Sequence, residues 1–208
     1  MDISKEKNYP NLARYLKKSA IIDFDHPDIA RKAQELAKGC MTDTEIAERC
    51  FLFVRDEIFH SWDHKKNPVT LTASEVLFHR TGYCYAKSHL LAALLRANGI
   101  PAGLCYQRLV CNEFDQPFFL HGLNAVWLKG VGWYRADARG LKPGYTAAFT
   151  PPVENLPYVV SLTYEADLPE IWDEPLSVIV DALRIHSDFE SFRRNMPDVE
   201  VVDLKDTR

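Results

Sequence analysis

The chain has 208 residues, of which 47% are apolar and 26% charged, a composition typical of a globular protein of one domain with a sizeable core. Its 25 Lys and Arg residues against 29 Asp and Glu residues give a formal charge of −4, which argues against nucleic acid as a partner. No apolar run approaches the roughly 20 residues of a membrane-spanning helix, and residues 2–7 mix charges where a secretory peptide is apolar, so we expect a cytoplasmic protein without a membrane partner.

Helical patterns occupy the first part of the chain. The first predicted helix begins at Pro27, a residue type favoured in the first helical turn, and ends before Gly39. The second begins at the capping box Thr42-x-x-Glu45, and apolar residues recur at helical spacing to about His60. Each of these helices therefore offers one apolar face to a core.

A polar segment and a shorter helix follow. Residues 61–70 are mostly polar and contain Pro68, so we predict a loop there. A second capping box, Thr72-x-x-Glu75, opens a helix that ends before Gly82.

The run from Cys84 to Asn98 is the most apolar helical segment of the chain. Its second half, residues 90–95, is apolar on all sides, which is typical of a helix buried at the centre of a domain. Gly99 follows as a C-terminal stop.

The pattern changes to β-strands after this helix. We predict strands at residues 104–111, 118–128 and 133–136, joined by turns at residues 112–115 and 129–132. Such short connections indicate an antiparallel meander on which the buried helix packs. The predicted fold class is therefore α+β, with a central helix on an antiparallel sheet and helical additions at both ends.

The rest of the chain is less regular. Prolines and aromatic residues at 143–164 indicate an irregular wrap, and helices are predicted at residues 177–185 and 188–194, before a polar tail that follows Pro197. We divide the chain into a polar N-terminal segment (1–20), a core (21–165) and a C-terminal helical extension with the tail (166–208).

One of the five cysteines has surroundings that favour reactivity. Cys84 begins the buried helix, where backbone N–H groups and the helix dipole favour a thiolate. Gly82 allows a substrate carbonyl to come close, the backbone N–H of Cys84 can donate to an oxyanion, and Lys87 adds positive field. Cys84 is therefore the candidate nucleophile. The other thiols are expected to be packing residues: Cys40, Cys50, Cys105 and Cys111.

A thiol nucleophile needs a base that is itself held in place. His121 lies on the second predicted strand, and Asp137 follows the third, sixteen residues later. A hairpin centred near Lys129 would place these two residues directly opposite each other on one face, whereas an odd register would place them on opposite faces. The glycines around Val131 are compatible with more than one turn type, so the register stays open.

These residues stand within a recognisable pattern. It consists of four motifs between about Ala73 and Arg139: Thr81-Gly82-Tyr83-Cys84, the helix end and turn at 90–102, His121-Gly122, and Trp133-Tyr134-Arg135-Ala136-Asp137. With these motifs the segment resembles the transglutaminase-like core of the papain-like cysteine-enzyme superfamily, of the microbial single-domain type. The resemblance implies that Cys84 is the nucleophile, His121 the base and Asp137 the residue that orients the imidazole.

The sequence also departs from this family. Tyr83 stands where many members have an acidic residue, which concerns substrate preference. The second oxyanion donor of the family is usually an aromatic or amide side chain outside the triad, and the candidates here are Trp62 and Gln107. Nothing in the sequence resembles the additional β domains or calcium sites of the animal cross-linking enzymes.

A metal site is the main competing interpretation of the polar motifs. His60 and His64 have the spacing of two ligands on one helical turn, and Asp63 lies beside them. Because Pro68 and the polar run indicate that the helix has ended, we interpret the segment as a solvated loop. We expect no metal and no cofactor.

The resemblance implies a cysteine-dependent enzyme that acts on peptide or protein amides through a thioester. Water on the thioester makes the protein a protease or amidase, and a primary amine makes it a cross-linking transglutaminase. Without the extra domains we favour hydrolysis. A catalytically silent module that binds peptides is the alternative from another class, since a fold does not dictate a function. The sequence does not specify an oligomeric state.

Overall fold

The computed structural model describes residues 11–111, 117–140, 146–162 and 164–199. The predicted turn at 112–115 and the start of the predicted wrap, residues 143–145, lie outside these ranges. After a 3-10 helix at Leu12–Leu16, the helices are α1 (Pro27–Ala37), α2 (Asp43–Glu57), α3 (Ser61–His64), α4 (Ala73–His79), α5 (Cys84–Ala97), α6 (Ser177–Ile185) and α7 (Phe189–Arg193). The strands are β1 (Phe59–His60), β2 (Thr81–Gly82), β3 (Ala102–Val110), β4 (Phe118–Leu128), β5 (Gly132–Ala136) and β6 (Ala166–Asp167).

The helix starts follow the predicted caps. The Thr72 hydroxyl accepts from the Glu75 N–H while the Glu75 carboxylate accepts from the Thr72 N–H, so the capping box at α4 is complete. At α2 the Thr42 hydroxyl accepts from the Glu45 N–H at 3.2 Å, as predicted. The Glu45 carboxylate, however, accepts from the N–H of Met41, one residue before the cap.

The predicted loop at 61–70 is wrong at its beginning. Helix α2 ends at Glu57, and β1 pairs in parallel with β2, His60 opposite Gly82. The one-turn helix α3 follows, and its buried Ser61 hydroxyl hydrogen-bonds that of Thr81 at 3.1 Å. These contacts join residues about twenty positions apart, so local polarity along the chain does not reveal them.

The antiparallel meander is confirmed. Strands β3, β4 and β5 are consecutive neighbours, and the sheet order is β5-β4-β3-β6. The short strand β6, which the sequence pattern does not indicate, pairs with β3 at the sheet edge, with Asp167 opposite Gln107. The segment after residue 165 therefore contributes to the same sheet as the meander.

Helix α5 lies at the centre of the molecule, as predicted. It packs on β3 and β4 on one side and on α1, α2 and α4 on the other, so that every residue from Cys84 to Arg96 is buried. Its buried polar side chains meet backbone carbonyl oxygens: Lys87 donates to Ile58, and the His89 ring lies 2.8 Å from the oxygen of Leu71. These contacts satisfy polar groups that burial would otherwise penalise.

The C-terminal helices agree with the prediction. Helix α6 has the predicted bounds, and α7 begins after Asp188, whose carboxylate caps it by accepting from the Ser191 N–H at 2.9 Å. None of the helices in the described ranges is long and apolar enough to cross a bilayer.

Candidate active site

The Cys84 thiol lies where the first turn of α5 meets strand β4. Tyr83, in an extended conformation, precedes the helix, and Cys84 is its first residue, with 6% of its surface exposed. The Gly122 backbone N–H donates to the Cys84 sulfur at 3.5 Å. A Cβ on Gly122 would stand 3.1 Å from the Tyr85 Cα, so glycine permits this close approach of strand and helix.

His121 and Asp137 form a buried pair beside this thiol. The His121 Nε2 lies 2.6 Å from the Asp137 Oδ2, and each residue is 1% exposed. The other carboxylate oxygen of Asp137 accepts from the Arg139 backbone N–H at 2.8 Å, which fixes its orientation. Because Nε2 is engaged, Nδ1 is the ring nitrogen left for the hydrogen bond with Cys84.

The electrostatics of this pair favour an imidazolium. Burial lowers the pKa of His121, but the charge of Asp137, the charge of Cys84 and the hydrogen bonds to both outweigh it, so that the pKa rises from 6.5 to about 9. The imidazole is therefore protonated at neutral pH.

The hairpin register differs by two residues from the one that would place His121 opposite Asp137. Strand β4 pairs with β5 so that Leu128 faces Gly132, which centres the turn on Gly130 instead of Lys129. Gly130 and Gly132 have φ angles of +85° and +96°, the left-handed backbone that the turn requires. His121 and Asp137 are consequently diagonal neighbours on one face, still within hydrogen-bond distance.

A cleft of about 230 Å³ opens over the thiol. Its walls are largely aromatic, and the centres of the Tyr158 and His121 rings are 4.7 Å apart. The Arg139 guanidinium also lines the cleft and pairs with both oxygens of Asp63, at 2.8 and 3.0 Å. The cleft wall thus combines aromatic side chains with polar groups, among them one ion pair.

The two predicted oxyanion donors lie in different places. Trp62 lines the cleft together with Cys84. Gln107 lies on β3 directly opposite His121, but it lines a neighbouring cavity, and its amide nitrogen donates to Asp167 at 2.9 Å. The structure therefore brings Trp62, and not Gln107, into the cleft of the thiol.

The C-terminal segment borders the cleft. The Tyr83 hydroxyl donates to the Phe189 carbonyl oxygen at 2.7 Å, and the Arg193 guanidinium lies 5.6 Å from the Trp62 ring centre. Met196 lines the cleft, and the Pro197 carbonyl accepts from the Leu120 N–H at 2.8 Å. This arrangement was not predicted, and neither were the positions of Arg139 and Tyr158 in the cleft wall. All of them depend on contacts between distant parts of the chain.

The remaining cysteines differ from Cys84. Burial raises the pKa of Cys50 and of Cys105 to about 12, as expected of packing residues. Cys40 is half-buried in the turn that follows α1, and Cys111 lines the cleft.

The histidines of the alternative metal motif are also accounted for. His60 is buried, and its Nδ1 lies 3.6 Å from an Asp63 oxygen that also accepts from Arg139. In the described ranges no group of three or more His, Cys, Asp or Glu side chains is arranged to hold a metal ion.

Comparison with known proteins identifies the family of this chain. The family model of the transglutaminase-like superfamily matches residues 30–138, just over half of the chain. The chain belongs to the transglutaminase-like superfamily. This membership confirms the predicted family and the α+β fold of transglutaminase-like and papain-like type.

Solved structures of this superfamily type resemble the chain at low identity. A protein of Cytophaga hutchinsonii described as a candidate cysteine protease is 19% identical and superposes with a TM-score of 0.50 over 64% of this chain and 43% of that one. The periplasmic domain of TgpA from Pseudomonas aeruginosa is 21% identical, with a TM-score of 0.48 over 61% of this chain and 48% of that one. The chain thus spans less than half the length of either structure. No curated protein matches its sequence.

Proposed function

We propose that the protein is a cysteine-dependent enzyme that cleaves peptide or protein amides through a thioester, with transfer of the acyl group to water. Cys84 is the nucleophile, His121 the general acid and base, and Asp137 the residue that orients the imidazole. The unit that carries this chemistry is the core at residues 21–165, with residues 166–208 as a C-terminal extension, of which residues 189–197 border the cleft.

The observation that carries the proposal is the position of the His121 imidazole. It lies between the Asp137 carboxylate, 2.6 Å away, and the Cys84 thiol at a helix N-terminus. The adjacent imidazolium and the N–H groups of the first helical turn stabilise a thiolate at this position. A cysteine that served packing alone would not need a charged partner held in this way.

The reaction follows from these positions. The Cys84 thiolate attacks the amide carbonyl carbon, and the oxyanion accepts from backbone N–H groups at the start of α5, with the Trp62 indole as the proposed second donor. His121 gives its proton to the leaving amine, the C–N bond breaks, and an acyl-thioester remains. Water then adds to the thioester as His121 removes its proton, which releases a carboxylic acid and restores the thiol.

Gln107 is not assigned to the oxyanion in this proposal. Its amide nitrogen, the only group of this side chain that donates, is directed to Asp167 and to the Tyr158 carbonyl oxygen.

Turnover of a mixed peptide pool tests the proposal. The parent protein and the Cys84→Ala variant are incubated with the pool, with and without a primary amine, and the products are identified by mass spectrometry. We expect new carboxyl termini, or amide side chains converted to acids, with the parent only. Cys40→Ala, which removes a thiol outside the cleft, is the matched control and should retain full activity. Products that persist in Cys84→Ala would contradict the proposal. Incorporation of the amine would show that the acyl group is transferred to an amine and not to water.

A further inference from the structure

Strand β4 has an edge beside the catalytic cleft that β5 does not reach. Strand β5 pairs with residues 124–128 of β4, so the earlier part of β4 extends beyond it. Leu120 and Gly122 lie in this earlier part, and because they are two positions apart their backbone N–H groups point to the same side, about 7 Å from each other. The Gly122 N–H contacts the Cys84 sulfur, and the Leu120 N–H donates to the carbonyl oxygen of Pro197 at 2.8 Å. The C-terminal segment is therefore bound to the same strand edge as the proposed nucleophile.

An ion pair holds the same segment at the same level of the sheet. Arg108 on β3 is directly opposite Leu120. Its guanidinium donates to both carboxylate oxygens of Asp198, at 2.8 and 2.7 Å, and lies 3.7 Å from the centre of the Phe118 ring. The side chains of Arg108 and Asp198 are 15% and 31% exposed, so the pair is shielded from much of the solvent. Two anchors therefore bind the segment one residue along the sheet from His121.

Met196 brings the segment into the cleft. Its side chain is 5% exposed and lines the cleft together with Cys84 and His121. Pro197 has no N–H group, so at this residue the segment accepts a hydrogen bond from β4 but cannot donate one. The segment is thus held by an apolar side chain, a backbone carbonyl and a carboxylate in three consecutive residues. Any peptide with an apolar residue followed two positions later by Asp or Glu offers the same three groups.

We propose that Met196-Pro197-Asp198 is an internal ligand of a peptide-binding site, which consists of Arg108, the edge of β4 and the neighbouring part of the cleft. A substrate peptide with an apolar residue followed two positions later by Asp or Glu binds there in place of the segment. Arg108 selects the acidic side chain, because two parallel charge-assisted hydrogen bonds join a guanidinium to a carboxylate. That the bound peptide is a substrate rests on the proposed function; the binding itself does not.

The internal segment competes with any peptide that is added. A ligand tethered to its own site has an effective concentration on the order of mM, so the parent protein should bind a free peptide weakly. Asp198→Asn removes the carboxylate of the internal segment and leaves Arg108 and β4 unchanged. This substitution should therefore raise the affinity for a free acidic peptide.

A titration of the full chain carrying Cys84→Ala tests the site without turnover. The probe is the acetylated and amidated peptide Asn-Met-Pro-Asp-Val, the sequence of residues 195–199, and the comparison peptide has asparagine in place of aspartate. With Asp198→Asn added to the protein, we expect the aspartate peptide to bind about tenfold more tightly than the asparagine peptide, and about tenfold more tightly than it binds without this substitution. Equal affinities of the two peptides, or binding of neither, would overturn the proposal.

Two further variants locate the site. Arg108→Gln, together with Cys84→Ala and Asp198→Asn, should make the two peptides bind alike, because no guanidinium remains at this position to recognise the carboxylate. Asp25→Asn is the matched control in place of Asp198→Asn, since Asp25 also pairs with a basic side chain, that of Lys18, at an exposed position. It should leave the affinity as weak as that of the protein with Asp198. A preference for the aspartate peptide that survives Arg108→Gln would overturn the assignment to this site.

The thiol itself reports whether the segment leaves the cleft. In the protein with Cys84 intact, Asp198→Asn should speed the alkylation of Cys84 by iodoacetamide several-fold, because Met196 no longer stays in the cleft, and excess aspartate peptide should slow it again. Cys50 and Cys105, which are buried, should keep their rates. Acceleration shared by these two thiols would mean that the substitution loosens the whole molecule, and that result, like an unchanged rate at Cys84, would overturn the proposal.

Turnover separates this proposal from the proposed function. Peptides cleaved by the Asp198→Asn protein should share an acidic residue at one fixed distance from the cleaved amide. Turnover of many peptides with no such preference would overturn the site. Selective binding of the aspartate peptide with no turnover of any peptide would instead refute the proposed function and leave the binding site intact.

Discussion

The charge of Asp137 extends the pH range over which His121 carries a proton. The carboxylate lies 2.6 Å from Nε2 and is buried with it, so that solvent screens their attraction little. The raised pKa of His121, about 9 against 6.5 for an ordinary histidine, implies that the imidazolium persists through neutral pH. A protonated His121 contributes stability that is fully present below pH 6.5 and is lost as the pH rises through about 9.

Asp137→Asn separates this charge from the shape of the side chain. The amide no longer favours the imidazolium, so the pKa of His121 should fall from about 9 toward the ordinary value, and alkylation of Cys84 at pH 8 should slow by about tenfold or more. The measurement is the pH dependence of that alkylation. Asp181→Asn, an exposed carboxylate on α6, is the control. An unchanged profile in Asp137→Asn would show that the carboxylate has no influence on the pair.

Lys87 makes the opposite kind of contribution, because burial penalises its charge. Burial lowers its pKa from 10.5 to about 7, although Asp137 nearby acts in the other direction. The unfolded chain keeps the proton to higher pH than the folded protein does. The cost of the buried ammonium is therefore complete below pH 7, decreases as the pH rises and has disappeared near 10.5.

Lys87→Met removes the pH dependence that this buried amine gives to the stability of the protein. The free energy of unfolding of the variant minus that of the parent should fall by a few kcal/mol between pH 7 and pH 10, as measured by urea denaturation. Lys38→Met, at an exposed position, should show a constant difference over the same range. A constant difference for Lys87→Met as well would mean that the buried amine keeps its proton throughout.

At the scale of elements, the site depends on how closely β4 approaches the start of α5. Gly122 is the contact residue, since a Cβ there would lie 3.0 Å from the Tyr85 ring and 3.1 Å from the Tyr85 Cα. Backbone at that distance cannot move aside as a flexible side chain does, so the strand itself must shift. Such a shift carries the Gly122 N–H and the neighbouring His121 away from Cys84.

Gly122→Ala should therefore lower both stability, by about 1–3 kcal/mol, and the alkylation rate of Cys84. Gly39→Ala is a suitable comparison, because Gly39 has a φ of +79° and open space around it. That variant should lose stability through backbone strain alone and keep the reactivity of the thiol. Equal thiol reactivity in both variants would contradict the role given to the strand–helix contact.

The elements that could be predicted are those with local signals. Capping at Thr72 and Asp188, the apolar run of α5 and the alternation of β4 are properties of neighbouring residues, and they locate these elements closely. The strand pairs β1–β2 and β3–β6 consist of two residues per strand, and only partners distant in sequence define them. The same division holds at the site, where Cys84, His121 and Asp137 could be named from helix and strand position, but Arg139, Tyr158 and the C-terminal border could not.

At the scale of the whole molecule, Arg96 connects three distant parts of the chain. From the last turn of α5 its guanidinium donates to the carbonyl oxygens of Ala102, Lys17 and Asp173, at 3.0, 2.7 and 2.7 Å. The side chain is 3% exposed, so its N–H groups depend on these three oxygens for their hydrogen bonds. The central helix thereby holds the N-terminal segment, the first strand of the meander and the chain after β6.

Arg96→Lys keeps the charge but loses the planar fork that reaches three acceptors. We expect a loss of about 3 kcal/mol in the free energy of unfolding, since the buried lysine ammonium cannot reach all three carbonyl oxygens. Arg31→Lys is the control, because that side chain is 77% exposed. Similar small losses in both variants, by urea denaturation, would show that the three contacts do not hold the molecule together.

The central claim is that Cys84 and His121 act as a reactive pair, and alkylation by iodoacetamide tests it without a substrate. The rate at each cysteine is followed from pH 5 to pH 9 by peptide mapping, in the parent and in His121→Ala. Free thiols react slowly below their ordinary pKa of about 8.5. We predict that at pH 6–7 Cys84 reacts faster than any other cysteine of the chain, and that it loses this advantage in His121→Ala. Cys50 and Cys105 should stay protected. A Cys84 that reacts no faster than Cys40, with the same pH dependence in both proteins, would contradict the account.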